Sequence, residues 1–306
     1  MPDHHVFDRL IAQCSAFPAV LAAVAAPTSE VALTGAMDAA KQRLIEPILV
    51  GNAAEVRALA ARLGLNLGDT AIVDAVDDDD AARRSVALCR EGKALLLMKG
   101  SLHTDVLMHA VLDRTTGLTT ARRVTHVFVI DAPAYPRALL VTDAAINIYP
   151  TLEEKVDIVK NAIDLAHALG IARPNVAILS AVETVSPKIT STIDAAALCK
   201  MADRNQITGG VLDGPLAFDT AVSAEAASIK HLVSPVAGVA DVLVVPDLES
   251  GNMLAKQLEY LGGAEMAGVV LGARVPIVLT SRADSARARL ASCAVAVLSA
   301  RATHTG

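Results

Sequence analysis

The chain has 306 residues, enough for two domains at about 150 residues each. Hydrophobic residues make up 53% and aromatics 2%, with no Trp. That excludes a disordered chain and leaves a core of small aliphatic side chains, without the stacking platforms that single-stranded nucleic acid requires. The formal charge of -6, with no basic stripe, excludes a broad electrostatic surface for nucleic acid, so an anionic ligand needs a local site.

In chain order, the N-terminal segment lacks the basic-then-apolar layout of a signal peptide, and its apolar stretch 17–26 is flanked or broken by Pro18 and Pro27. No run of eighteen apolar residues occurs, so no membrane span is expected and the cytoplasm is the expected location. The acidic run 77–80 reads as a solvated loop before a helix. Cys14, Cys89, Cys199 and Cys293 are scattered without a CxxC or Cys/His cluster, so neither a metal site nor a disulfide framework is expected.

Seven apolar runs of strand length follow, at 94–98, 124–130, 176–179, 210–212, 242–245, 268–271 and 277–279. Between them lie helical patterns. Thr151 and Glu154 have capping-box spacing, apolar Val156, Val159, Ala162, Ile163, Ala166 and Leu169 recur on one face, and Gly170 supplies a stop. Further helices are expected over 192–202, over 253–261 and after Ser281. The tail 301–306 reads as frayed.

Strands alternating with helices predict an α/β fold with mostly parallel sheets, whose ligands bind beyond the C-terminal strand ends. Those ends read Lys99-Gly100-Ser101-Leu102-His103, Asp213-Gly214-Pro215, Pro246-Asp247-Leu248-Glu249-Ser250-Gly251-Asn252, Gly272-Ala273-Arg274 and Thr280-Ser281-Arg282-Ala283-Asp284. The last lies between an apolar run and a helix, where free backbone N–H groups suit phosphate or an oxyanion, and Arg282 adds a bidentate fork. Ser281 or Asp284 could equally cap the helix that follows. Lys99 and Gly100 fit an anion turn or an ordinary one, His103 fits a ligand or a plain loop histidine, and Asn252 could cap the helix after it. No GxxxxGK[ST], GxGxxG or GxSxG motif is present.

Taken together, Ile45-Glu46-Pro47-Ile48-Leu49-Val50-Gly51, the stretch 98–105, Thr142-Asp143-Ala144-Ala145-Ile146-Asn147, Asp213-Gly214-Pro215, the stretches 234–238 and 246–252, and Ser281-Arg282 resemble the phosphate acetyl/butyryltransferase family. The similarity runs from about residue 30 to the C-terminus. Val185-Ser186-Pro187-Lys188 and the stretch 200–205 are closest to the butyryltransferase branch and to the transacylase half of longer enoyl-CoA hydratase proteins. The resemblance implies two α/β domains of the isocitrate/isopropylmalate dehydrogenase architecture with a cleft between them. The first would be 1–134 with 272–306, and the second, 135–271, would carry a homodimer or higher homo-oligomer. It also implies transfer of a short acyl group between coenzyme A and inorganic phosphate. Coenzyme A is then a substrate, and no permanent cofactor, metal, membrane or nucleic acid is involved.

In that frame Arg282 binds phosphate or the developing oxyanion, and Ser281 hydrogen-bonds the coenzyme A sulfur or the carbonyl oxygen. Lys99, Ser101, His103, Asp213, Ser234, Asp247, Asn252 and Arg274 bind substrate. Acetyltransferase members place a carboxylate base seven residues after the Ser. Here that position is Ala288, and Asp284 is the substitute. They also carry an Arg where this chain has Met108 or His109. Two readings stay open beside this one. A non-catalytic acyl-CoA sensor would retain the fold without the base. A metal- and NAD-dependent dehydrogenase of related fold would need clustered aspartates that the sequence lacks.

Overall fold

A computed structural model describes residues 6–279 and 284–305. The elements, in chain order, are α1 (Val6–Cys14), β1 (Val20–Ala25), α2 (Glu30–Lys41), β2 (Ile45–Gly51), α3 (Ala53–Leu63), β3 (Ala71–Asp74), α4 (Asp78–Arg90), β4 (Leu96–Lys99) and α5 (Thr104–Leu112). They continue as β5 (Thr125–Asp131), β6 (Leu139–Thr142), α6 (Leu152–Ala168), β7 (Asn175–Leu179), α7 (Thr190–Asp203) and β8 (Val211–Leu216). The chain closes with α8 (Phe218–Val222), α9 (Ala224–Ile229), β9 (Val242–Val244), α10 (Leu248–Tyr260), β10 (Glu265–Leu271), β11 (Ile277–Val278) and α11 (Ala286–Thr305). The residues fall into two compact units. The flanking unit is Phe7–Val124 with Ala267–Gly306, and the middle unit is Met1–Val6 with Thr125–Met266.

In the flanking unit the strand order is β3-β2-β1-β4-β11-β10. Strands β3, β2, β1, β4 and β11 are parallel, with registers such as Val24↔Leu49, Val24↔Met98 and Ile277↔Leu97, and β10 is antiparallel to β11. The central strand β1 is Val-Leu-Ala-Ala-Val-Ala, and Ala22 to Ala25 are fully buried. A sheet covered on both faces takes such apolar runs, and the small side chains let covering helices approach closely. Helix α4 starts on Asp77, whose side chain accepts the Asp80 N–H at 2.7 Å. The acidic run is therefore a cap and first turn, where carboxylates meet the positive end of the helix, and not a solvated loop. Asp80 is buried and held by Arg84 at 2.7 Å and Arg83 at 3.3 Å. The C-terminal segment is likewise helical, since α11 continues to Thr305.

In the middle unit the order is β5-β6-β9-β7-β8. Strand β5 is antiparallel to β6, and β6, β9, β7 and β8 are parallel. Helix α6 forms as its sequence predicts. Thr151 Oγ1 accepts the Glu154 N–H at 3.3 Å, and Glu154 accepts the Thr151 N–H at 2.8 Å. Its buried Ile158, Val159, Ala162, Ile163 and Ala166 lie on one face, where each large aliphatic contributes about 1.5–3 kcal/mol on burial. Lys155, also buried, pairs with Asp194 of α7 at 2.7 Å. The core joins Ile130, Leu139, Val141, Ala177, Leu179, Leu216 and Leu243.

Candidate active site

Within the flanking unit the ends of β1 and β4 are stapled together. Gly100 N–H donates to the Ala25 carbonyl at 2.8 Å, and Ser101 N–H to the Ala26 carbonyl at 2.8 Å. The Ser101 hydroxyl donates to the same Ala26 oxygen at 2.7 Å and lies 2.6 Å from Thr28 Oγ1. Only glycine fits at position 100, because a Cβ there would lie 2.3 Å from the carbonyl oxygens of both Ala25 and Ala26. Lys99, buried at the last position of β4, donates from Nζ to the carbonyls of Leu102 at 3.2 Å and Gly100 at 3.3 Å. Its ammonium thereby fixes the turn and places a positive charge at the strand end. His103 follows, exposed, at the start of α5, and its side chain makes no capping bond. Lys99, Ser101 and His103 are thus brought together, with Thr28 and Ala26 as members the sequence reading missed. The paired Thr28 and Ser101 lie 73 positions apart in the chain, and no local pattern links them.

Strand β11 runs parallel to β4, with Val278 in register with Met98, so the C-terminal end of β11 lies at the same sheet edge as Lys99. Ser281 and Arg282 lie outside the described residues. Asp284 is half-buried, and its carbonyl accepts a hydrogen bond from Arg289. The cap of α11 is Ser285, whose hydroxyl accepts the Ala288 N–H at 3.0 Å, and not Asp284. Arg274 does not join this group. It lies in the turn between the antiparallel β10 and β11, hence at the N-terminal edge of β4 and β11, and its N–H donates to the Leu118 carbonyl at 2.9 Å.

In the middle unit a second centre forms at the shared C-terminal edge of β6 and β9. The Asp143 carboxylate is buried and accepts four hydrogen bonds. Ala145 N–H and Ile146 N–H reach one oxygen at 2.9 and 3.0 Å, while Asn147 Nδ2 and His126 N–H reach the other at 2.6 and 3.1 Å. Asp247 caps α10 by accepting the Ser250 N–H at 2.8 Å. Asn252 lies inside that helix instead of capping it, and its Nδ2 donates to the Ala144 carbonyl at 3.2 Å. Gly251 permits this approach, since a Cβ there would lie 2.7 Å from Val245 Cγ2 and 3.0 Å from the Asp143 carbonyl. Asn252 and Gly251 therefore meet the 143–147 loop, while Asp247 caps the helix that carries them.

Two other residues do not meet that loop. Asp213 lies within β8, which runs on to Leu216 instead of ending before it, and its Oδ1 accepts the N–H of Gly214 at 2.9 Å. The Ser234 hydroxyl closes its own turn through the N–H groups of Val236 and Ala237 at 3.1 and 3.0 Å.

The electrostatics narrow the chemistry. Burial pushes Cys89, Cys199 and Cys293 up to about 12 and Cys14 up to about 11. All four thiols are protonated at neutral pH, so none is an activated nucleophile. Burial also pushes the His126 imidazole down to about 4, against the pull of the Asp143 charge, so the ring is neutral. Among the described residues no group of three His, Cys, Asp or Glu gathers to hold a metal ion.

These features define a class, a two-unit α/β protein with polar turns at the C-terminal edges of parallel strands. Residues 79–297 match the family model described as phosphate acetyl/butaryl transferase. The chain is 62% identical over 292 residues to a phosphate acetyltransferase of Rhizobium meliloti, covering 95% of this chain and 92% of that one. It is 41% identical over 292 residues to a phosphate butyryltransferase of Clostridium acetobutylicum, covering 95% and 97%. Among solved structures it resembles a phosphotransacetylase from Streptococcus pyogenes, at TM-score 0.82 and 25% identity over 99% of this chain and 100% of that one. The chain belongs to the phosphate acetyl/butyryltransferase family.

Proposed function

We propose that the protein is an enzyme that transfers a short acyl group between coenzyme A and inorganic phosphate, with the acetyl group as first choice of cargo. The observation that carries this reading is the 62% identity to a phosphate acetyltransferase across nearly the whole of both chains, against 41% to a butyryltransferase. In the direction of acyl phosphate formation, a phosphate oxygen attacks the thioester carbonyl. The tetrahedral intermediate collapses with cleavage of the C–S bond, and the coenzyme A thiolate takes up a proton. Transfer is direct, in keeping with the four protonated cysteines, so no acyl-enzyme is needed.

The roles follow the strand ends. Arg282 holds phosphate or the oxyanion, Ser281 hydrogen-bonds the sulfur or carbonyl oxygen, and Asp284 is the base. Lys99 adds positive charge at the neighbouring strand end while fixing the Ser101-bearing turn. A bidentate guanidinium suits phosphate, and preorganised donors stabilise an oxyanion far better than mobile water does. The placement of β11 beside β4 supports this grouping. Asn252 holds the 143–147 loop of the middle unit through the Ala144 carbonyl, Asp247 caps the helix that presents it, and Arg274 has no role in the scheme.

The substrates are acyl-CoA and phosphate, with no resident cofactor. The protein acts in the cytoplasm as a homodimer assembled through the middle unit. No helix among the described residues is long and apolar enough to cross a membrane. For the dimer, α10 and the residue after it expose Met253, Tyr260 and Leu261, the last 86% exposed, an apolar set suited to a second copy. The test of the reaction is a thiol-release assay of purified protein with phosphate and acetyl-, propionyl- or butyryl-CoA. Phosphate-dependent release fastest with acetyl-CoA is the expected result. No release with any of the three would reject the reading.

A further inference from the structure

Outside the strand-end turns, helices α4 and α5 of the flanking unit enclose a groove of about 410 Å³. That volume is within the range of sites for small organic ligands. Its walls pair Val86 and Ala87 of α4 with Val106 and Ala110 of α5. Above this apolar floor stand Arg83 and Arg90, seven residues apart and so on one face of α4, together with His109 on α5.

Arg90 and His109 make no hydrogen bond or ion pair among the described residues, and Glu91, beside Arg90, is taken by Lys93 at 2.8 Å. Arg83 makes only the longer contact to Asp80, 3.3 Å against 2.7 Å for Arg84, so it can turn into the groove while Arg84 keeps the carboxylate. Two acids also line the groove. Asp113 is an anion held back against its own turn, since one oxygen accepts the N–H groups of Thr115 and Thr116 and the Thr116 hydroxyl at 2.7–2.9 Å. These donors hold its carboxyl well below the usual carboxylate range. Asp79 stands a full helical turn from Arg83 and three turns from Arg90, at the far end.

We infer that this groove is a second ligand site, for a small organic phosphate monoester whose apolar body lies on Val86, Ala87, Val106 and Ala110 while its phosphate takes Arg90 and His109. The guanidinium provides a permanent bidentate cation and the imidazole a ring N–H. Every lining residue belongs to the flanking unit and none belongs to the strand-end turns, so the inference goes beyond the proposed reaction and does not depend on it.

The test is isothermal titration of the full chain, saturated with coenzyme A, with phenyl phosphate as probe. Phenyl phosphate should bind saturably. Arg90→Ala and His109→Ala should each weaken binding at least about fivefold, and Arg90→Ala should leave thiol-release rates unchanged, because its side chain is exposed and outside the reacting groups. Methyl phosphate, which keeps the head and loses the body, should bind at least about fivefold more weakly than phenyl phosphate. Absence of saturable binding would overturn the inference. So would binding that survives both substitutions and disappears in Arg282→Ala, which would place the probe at the reaction site alone.

Discussion

The two strand-end centres solve one problem in different ways. In the flanking unit the turn after β4 is held by backbone, with Gly100 and Ser101 N–H groups seated on the carbonyls of Ala25 and Ala26, and glycine is required because nothing larger fits. In the middle unit the loop after β6 is held by one buried carboxylate, with Asp143 collecting four donors. The first is a steric constraint and the second an electrostatic one. They should therefore fail differently.

The largest effect is expected at Gly100. Gly100→Ala forces a Cβ to within 2.3 Å of two carbonyl oxygens, and overpacking against backbone costs about 3 kcal/mol or more. Thiol release should fall by over about 100-fold, and thermal unfolding should show a lower midpoint. Asp143→Asn comes next. The amide cannot accept at both former oxygens, so Asn147 Nδ2 and the His126 N–H lose their partner. Leaving buried donors unsatisfied costs about 1–3 kcal/mol, readable as a shifted midpoint in urea. A milder loss at Gly100 than at Asp143 would reverse the comparison.

The pH dependence separates the centres further. His126 has its folded pKa lowered to about 4 from 6.5. The unfolded chain therefore binds the extra proton first, and stability is full above pH 6.5 and lost as pH falls toward 4. His126→Leu should flatten that part of the stability curve in urea titrations at successive pH values, whereas Gly100→Ala should leave its slope unchanged. The smallest effect lies away from both centres, at the α6 cap. Thr151→Ala should cost about 1 kcal/mol without changing turnover.

The sequence made some of this legible. The α6 box was visible because both partners sit three residues apart, and the seven apolar runs correspond to β4, β5, β7, β8, β9, β10 and β11. Strands β1, β2, β3 and β6 lie outside those runs; β1 is half alanine and β2 contains Pro47. Helix α10 begins at Leu248, ahead of residue 253, because Ser250-Gly251-Asn252 has the composition of a turn while the tight approach to Asp143 and Val245 requires the glycine in a helix. The acidic run 77–80 carries the charge of a solvated loop, and only the positions of Arg83 and Arg84 on the next turn explain a buried Asp80. At the candidate site, Lys99 was legible from its place at a strand end. Its carbonyl partners, and the staple through Ala26 and Thr28, depend on contacts between segments far apart in the chain. Arg274 does follow the apolar run 268–271, but the antiparallel turn of β10 onto β11 carries it to the opposite sheet edge from Lys99.

The claim on which the functional account turns is that the polar turns at the C-terminal ends of β4 and β11 hold the reacting groups. Steady-state thiol release by Arg282→Ala, at saturating acetyl-CoA and phosphate and with an unfolding midpoint matched to the parent protein, tests it most directly. The account predicts a fall in kcat of at least about 100-fold. Turnover within about threefold of the parent protein would contradict it.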